Sequence, residues 1–204
     1  MNHGKEDRWL YLITDLSYGE EAVAAALRAG VDYVQLREKN VSSAEYLRRA
    51  RKMRELSSAF QTKLIINDRV DIALLCEADG VHLGQEDIPV SDARGLMGPD
   101  AVIGATAKTP QQAALAQSQG ADYLGSGAWF PTNTKKDAVP ITKKRYMEIL
   151  QATDIPNVAV GGITSGNCRI PLDCQADGVG VSGGIMGAEN IAEEISRLRM
   201  ALKG

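Results

Sequence analysis

The feature that most constrains this chain is a rhythm of short apolar runs. They recur at 10–15, 33–38, 63–68, 80–84, 102–107, 123–130, 157–163 and 178–183. Most are too short for helices and are bounded by Gly, Asp or Asn, which is how strands are punctuated. Between them lie stretches of helical periodicity, such as 43–60 and 110–119. In the first, Tyr46, Leu47, Ala50, Met53 and Leu56 share one face, and Arg and Lys cover most of the remainder. Ser42 or Ser43 is placed to cap its start, with Glu45 in the first turn.

Repeated strand–helix units with no linker between halves predict one α/β domain over 1–204, a single (β/α)8 TIM barrel. Residues 1–8 read as a polar N-terminal extension. A doubly wound open sheet is the alternative, but Thr14-Asp15-Leu16-Ser17 stands where its Gly-rich turn would be needed. An internal echo supports the repeat: Asp32, Asp79, Asp122 and Asp177 each stand just before a strand, after a helix has ended. Turn chemistry is the expected role of these four aspartates.

Composition narrows the function. Hydrophobic residues make up 44% and aromatic residues 5%, so the core is expected to consist mainly of Val, Ile, Leu and Ala. A formal net charge of −3 argues against a nucleic-acid partner recruited by overall charge. No run approaches the roughly 18 apolar residues of a membrane span. Cys76, Cys168 and Cys174 form no CxxC pair, and the segment before Trp9 has no apolar leader. These features fit a cytoplasmic enzyme of small molecules; a homo-oligomer is left open.

In a barrel of this kind functional groups collect where strands end. After the second run comes Gln35-Leu36-Arg37-Glu38-Lys39. With a period of two, Gln35, Arg37 and Lys39 share one side, and two cations with an amide suit a phosphate or pyrophosphate. A solvated strand end is the bland alternative. The third and fourth runs end in Asn67-Asp68 and Gly84-Gln85-Glu86-Asp87. On adjacent strands, Asp68 and Asp87 would repel each other unless a cation intervened, and Mg²⁺ favours such a pair together with phosphate oxygens. Their alternative role is to cap the next helices. The stretch 131–137 reads as a polar loop over an anion or as an ordinary charged loop. Gly161-Gly162-Ile163-Thr164 and Ser182-Gly183-Gly184-Ile185 would let backbone N–H groups approach a phosphate at the last two strands.

Taken together, these motifs resemble the thiamine-phosphate synthase family. The resemblance rests on Tyr11-Leu12-Ile13-Thr14-Asp15, Gln35 to Lys39, Ile66-Asn67-Asp68-Arg69-Val70-Asp71 and Gly80-Val81-His82-Leu83-Gly84-Gln85-Glu86-Asp87. It continues through Pro131-Thr132-Asn133-Thr134-Lys135-Lys136-Asp137 and Gly161-Gly162-Ile163. It implies a transferase that joins a hydroxymethylpyrimidine diphosphate to a thiazole phosphate, with Mg²⁺ as cofactor. It further implies that Gln35, Arg37, Lys39, Asn67, Thr106 and Lys135 hold the pyrimidine diphosphate. Of these, Arg37, Lys39, Thr106 and Lys135 would promote the chemistry. Asp68 and Asp87 would carry the metal. Thr132, Asn133, Thr134, Gly162, Ser182 and Gly183 would bind the thiazole phosphate.

At two of its strand exits the chain departs from the family pattern. Gly104-Ala105-Thr106-Ala107-Lys108 replaces a Gly-Val-Ser followed closely by His, and Ser182-Gly183-Gly184-Ile185 replaces Val-Ser-Ala-Ile. A tautomerase on the same barrel would need a His in the strand 6 loop, where Gly127-Ala128-Trp129-Phe130 stands. A non-catalytic sensor of thiamine intermediates would have lost the acidic pair or the rim cations. A sugar-phosphate isomerase would leave the cations after the second strand unexplained.

Overall fold

In a computed structural model, which describes residues 8–132 and 140–204, eight parallel strands pair in sequence order and close on themselves. They are β1 (Trp9–Thr14), β2 (Tyr33–Leu36), β3 (Lys63–Asn67), β4 (Gly80–Leu83), β5 (Val102–Thr106), β6 (Tyr123–Gly127), β7 (Asn157–Val160) and β8 (Gly178–Val181). Tyr11 pairs with Tyr33 on one side and with Gly180 on the other, which seals the barrel. Closure removes the open-sheet alternative.

The helices between and after the strands are α1 (Glu20–Arg28), α2 (Ser43–Ala59), α3 (Val70–Leu75), α4 (Val90–Met97) and α5 (Pro110–Ser118). They continue as α6 (Lys143–Gln151), α7 (Arg169–Asp173), α8 (Gly183–Met186) and α9 (Ile191–Lys203). Ser42 caps α2 by accepting from Glu45 N at 3.2 Å. The apolar face of α2 is Tyr46, Ala50 and Met53 buried, with Leu47 and Leu56 packed at its margin. Among the described residues no helix is long and apolar enough to cross a membrane.

The strands are shorter at their exits than the apolar runs. Regular pairing stops where the chain swings outward into its loop, although Trp129 N and Phe130 N still donate to Val160 O and Gly161 O at 3.0 Å. Alternation divides each strand into two layers. Leu10, Leu12, Val34, Leu64 and Ile66 meet the helices, and that layer is the aliphatic core expected from composition. The lumen differs. Trp9, Tyr11, Tyr33 and Tyr123 pack there with Ile65 and Val158, so four aromatic rings gather on the barrel axis. Gly104 makes room for them, because a Cβ there would lie 2.1 Å from Tyr123 Cζ.

The four echoed aspartates do more than shape turns. Asp32, Asp79, Asp122 and Asp177 accept from the backbone N–H of Leu10, Leu64, Ile103 and Asn157, at 2.7, 2.8, 2.7 and 2.8 Å. Each carboxylate therefore ties the start of its own strand to the start of the strand before it. Arg199 of α9 grips Asp32 through both oxygens, and Arg54 and Arg94 reach Asp79 and Asp122 at 2.6 Å. The stitching lies at the N-terminal face, opposite the strand exits.

Candidate active site

The strand exits open into a cavity of about 1160 Å³ whose floor is formed by Tyr11, His82, Tyr123 and Val158. Gln35, Arg37 and Lys39 all line it, so the period of two continues beyond the last paired residue, Leu36. Glu38, between them, turns the other way. It is buried, accepts from Leu16 N at 3.1 Å and from Arg49 at 2.8 Å, and so anchors the segment from behind.

Asn67 ends β3 at the cavity wall, and Asp68 follows with a φ of 63°, a left-handed turn that Asp tolerates better than most residues. Asp68 N donates to His82 O at 2.9 Å, which fixes the turn against β4. Neither aspartate caps a helix: Arg69 and Pro89 occupy the capping positions of α3 and α4. Instead the two carboxyl groups lie close enough for each to shift the other's ionisation. Lys39 Nζ lies 2.6 Å from Asp68 Oδ2, and Gly84 N donates to Asp87 Oδ2 at 2.6 Å.

Partial burial pushes the Asp68 carboxyl upward, but Lys39, Asp87 and Arg37 outweigh it and hold it below its ordinary value. Burial and the neighbouring Asp68 charge raise Asp87 above its own. The pair thus presents one firmly ionised carboxylate beside one that holds a proton more readily. Among the described residues no third His, Cys, Asp or Glu joins them to form a protein cage. Two carboxylates with open positions fit Mg²⁺, which keeps waters and shares phosphate oxygens, better than a structural zinc.

Thr106 closes β5 on the cavity wall, 3.0 Å from His82 Nε2, and Gln85 donates to its carbonyl at 2.6 Å. Lys108 also lines the cavity and is exposed. Thr132 lies at the wall, while Asn133, Thr134 and Lys135 fall outside the described residues. Gly161 and Gly162, at the β7 exit, have φ of 93° and 67°. A Cβ on Gly162 would stand 2.6 Å from Pro131 O, so this glycine lets the β6 exit pack down on the β7 exit. Ser182 and Gly183 line the neighbouring wall at the start of α8, and a Cβ on Gly183 would meet nothing within 4 Å.

The expected residues that are described therefore share one cavity. The sequence reading had not assigned Tyr11, Tyr123 and His82 to it. Tyr123 OH lies 2.7 Å from Tyr11 OH and 3.0 Å from His82 Nδ1, and Gln35 Nε2 donates to Tyr11 OH at 3.0 Å. Burial raises both phenols far above their usual range and lowers the His82 imidazole to about 4. Their signal in the sequence is alternation alone: Tyr11, His82 and Tyr123 hold inward positions, yet only closure shows that the three strands face each other.

Comparison with known proteins agrees with this geometry. The profile of the thiamine monophosphate synthase family matches residues 10–185. The thiamine-phosphate synthase of Methanobrevibacter smithii is 45% identical over 188 residues, covering 90% of each chain. That of Clostridioides difficile is 42% identical over 193 residues, covering 92% of each. The solved thiamine phosphate pyrophosphorylase from Pyrococcus furiosus superposes with a TM-score of 0.87 at 36% identity, over 98% of this chain and 97% of its own. 3-Hexulose-6-phosphate synthase shares only the fold, at 13% identity and a TM-score of 0.71. With barrel, rim residues and whole-length relatives in accord, this chain belongs to the thiamine monophosphate synthase family, transferases of thiamine biosynthesis.

Proposed function

We propose that this protein condenses 4-amino-2-methyl-5-hydroxymethylpyrimidine diphosphate with thiazole phosphate, releasing pyrophosphate and forming thiamine phosphate. The observation that carries the reading is the division of one cavity into two walls. Arg37, Lys39 and the Asp68–Asp87 pair lie on one, and the glycine-rich exits of β7 and β8 lie on another.

The C–O bond that breaks is benzylic in type and attached to an electron-rich aminopyrimidine. It ionises first, leaving a stabilised cation that the thiazole nitrogen then captures. No nucleophilic side chain is needed. Arg37 and Lys39 neutralise the departing pyrophosphate as its charge develops, Arg37 through a bidentate guanidinium. Asn67 and Thr106 offer hydrogen bonds to the same substrate, and Lys135 is assigned to it by family resemblance. Mg²⁺, held by Asp68 and Asp87, would supply further charge neutralisation to the diphosphate. Thr132, Asn133, Thr134, Gly162, Ser182 and Gly183 are assigned to the thiazole phosphate and would hold its ring nitrogen near the reacting carbon, so that capture competes with water. Removing one such preorganised charge contact would cost roughly 3 kcal/mol, about a hundredfold in rate.

The test is direct. Purified protein is mixed with both precursors and Mg²⁺, and thiamine phosphate and pyrophosphate are quantified by chromatography. Stoichiometric products that vanish with a chelator are expected. No product with or without Mg²⁺ would overturn the assignment.

A further inference from the structure

Five polar side chains from five strands form one continuous line through the barrel. Gln35 on β2 meets Tyr11 on β1 at 3.0 Å, and Tyr11 meets Tyr123 on β6 at 2.7 Å. Tyr123 meets His82 Nδ1 on β4 at 3.0 Å, and His82 Nε2 meets Thr106 on β5 at 3.0 Å. Both ends, Gln35 and Thr106, line the cavity, and the middle crosses the aromatic lumen.

Each hydroxyl has a single proton, and a neutral imidazole has one donor and one acceptor. Only two arrangements therefore satisfy every link and also give each tyrosine proton an acceptor. Gln35 Nε2 donates to Tyr11, so Tyr11 gives its proton to Tyr123, and Tyr123 gives its own to His82 Nδ1. The imidazole proton then resides on Nε2 and is donated to Thr106. Thr106 keeps its hydroxyl proton for a ligand, while Gln35 keeps its carbonyl for one. In the reverse order the Gln35 amide is flipped so that Oε1 accepts from Tyr11, every other link runs backwards, and both ends change their offer. A mixed order leaves a buried tyrosine proton without an acceptor or two lone pairs facing each other, and either is costly. Both ring nitrogens of His82 meet hydroxyls and neither meets a carboxylate, and at pH 8, above the ordinary imidazole range, the ring is neutral.

We infer that Gln35, Tyr11, Tyr123, His82 and Thr106 form a directional hydrogen-bond relay that couples the two polar contacts on the cavity floor, with His82 as the positioning residue that sets Thr106 as a donor. The relay selects a ligand that offers a donor to Gln35 and an acceptor to Thr106 together. An amino-substituted heterocycle carrying an anionic or ring-nitrogen acceptor has that pattern. A heterocycle with the opposite polarity would have to reverse all five groups. The choice of occupant rests on the proposed pyrimidine substrate; the relay itself does not.

The experiment reads the His82 tautomer by ¹⁵N NMR in substrate-free protein at pH 8. His3→Gln leaves one imidazole in the chain. The expected state is Nε2 protonated and Nδ1 bare. In Gln35→Glu the carboxylate, flanked by Arg37 and Lys39, can only accept, so Tyr11 must turn its proton toward it. His82 should then invert to the Nδ1–H tautomer. Adding Tyr11→Phe removes the link and should abolish the inversion. A parent protein with Nδ1–H, an unchanged tautomer in Gln35→Glu, or an inversion that survives Tyr11→Phe would each overturn the relay. Should Gln35→Glu not fold, Tyr123→Phe reports the same coupling. It removes the donor to Nδ1 and should leave a mixture of tautomers, and an unaltered preference would refute the relay. These spectra need no turnover, so failure of the synthase assay and failure of the relay are separate results.

Discussion

Lys39 Nζ lies 2.6 Å from Asp68 Oδ2, with the lysine half exposed, so the proposed metal site carries its own competing cation. An exposed pair of this kind contributes at most about 1 kcal/mol. Lys39→Ala should therefore tighten Mn²⁺ or Mg²⁺ binding to the substrate-free protein by roughly two- to fivefold. The same variant should weaken diphosphate binding. A titration followed by electron paramagnetic resonance checks the first effect; unchanged or weaker metal affinity would remove Lys39 from the competition.

Asp87 carries the proton-holding side of the carboxyl pair and accepts from Gly84 N at 2.6 Å. Asp87→Ala should lower Mg²⁺-dependent turnover by about a hundredfold, the usual effect of removing one charge-stabilising contact. Its far-UV circular dichroism should stay that of the parent. Full activity in a folded variant would refute the metal role.

His82 carries a pH signature. Burial lowers its imidazole from 6.5 to about 4. Between those values the unfolded chain binds a proton that the folded chain refuses. This contribution to stability is complete above 6.5 and is lost as pH falls toward 4. The full gap corresponds to roughly 3 kcal/mol, reduced to about 2 because the ring edge is open to the cavity. Urea unfolding at pH 7 and pH 4.5 should show the parent losing this amount relative to His82→Gln. Equal losses in both proteins would contradict it.

The aspartate stitching at the opposite face predicts stability effects without catalytic ones. Asp32→Ala removes the acceptor of Leu10 N and leaves Arg199 without its bidentate partner. The expected cost is about 2–3 kcal/mol, or roughly 5–10 °C in Tm for a chain of this size. KM for both substrates should be unchanged at 25 °C. Calorimetry and steady-state kinetics together decide it, and a KM shift without a Tm shift would place Asp32 in the site.

Much of this was legible in local pattern. Eight short apolar runs, mostly bounded by Gly, Asp or Asn, specify strand exits because run length, alternation and chain punctuation are local properties. Gln35, Arg37 and Lys39 were visible as one face for that reason. Asp68 and Asp87 were visible because adjacent strands in a barrel share a rim. Asp32, Asp79, Asp122 and Asp177 were visible as a repeat, but their partners, Arg199 for Asp32 among them, lie as many as 167 residues away.

The sequence by itself determined the parallel barrel, the exits that carry charge, and the family to which those motifs point. The tertiary structure alone decided what lies between the walls. Closure of β1 on β8 brings Tyr11 on β1 across the lumen to Tyr123 on β6, and Tyr123 in turn reaches His82 on β4, which meets Thr106 on the neighbouring β5. A sequence pattern records which way each residue faces along its own strand. Which residue it meets across the lumen depends on register and closure, and those are set by the whole barrel.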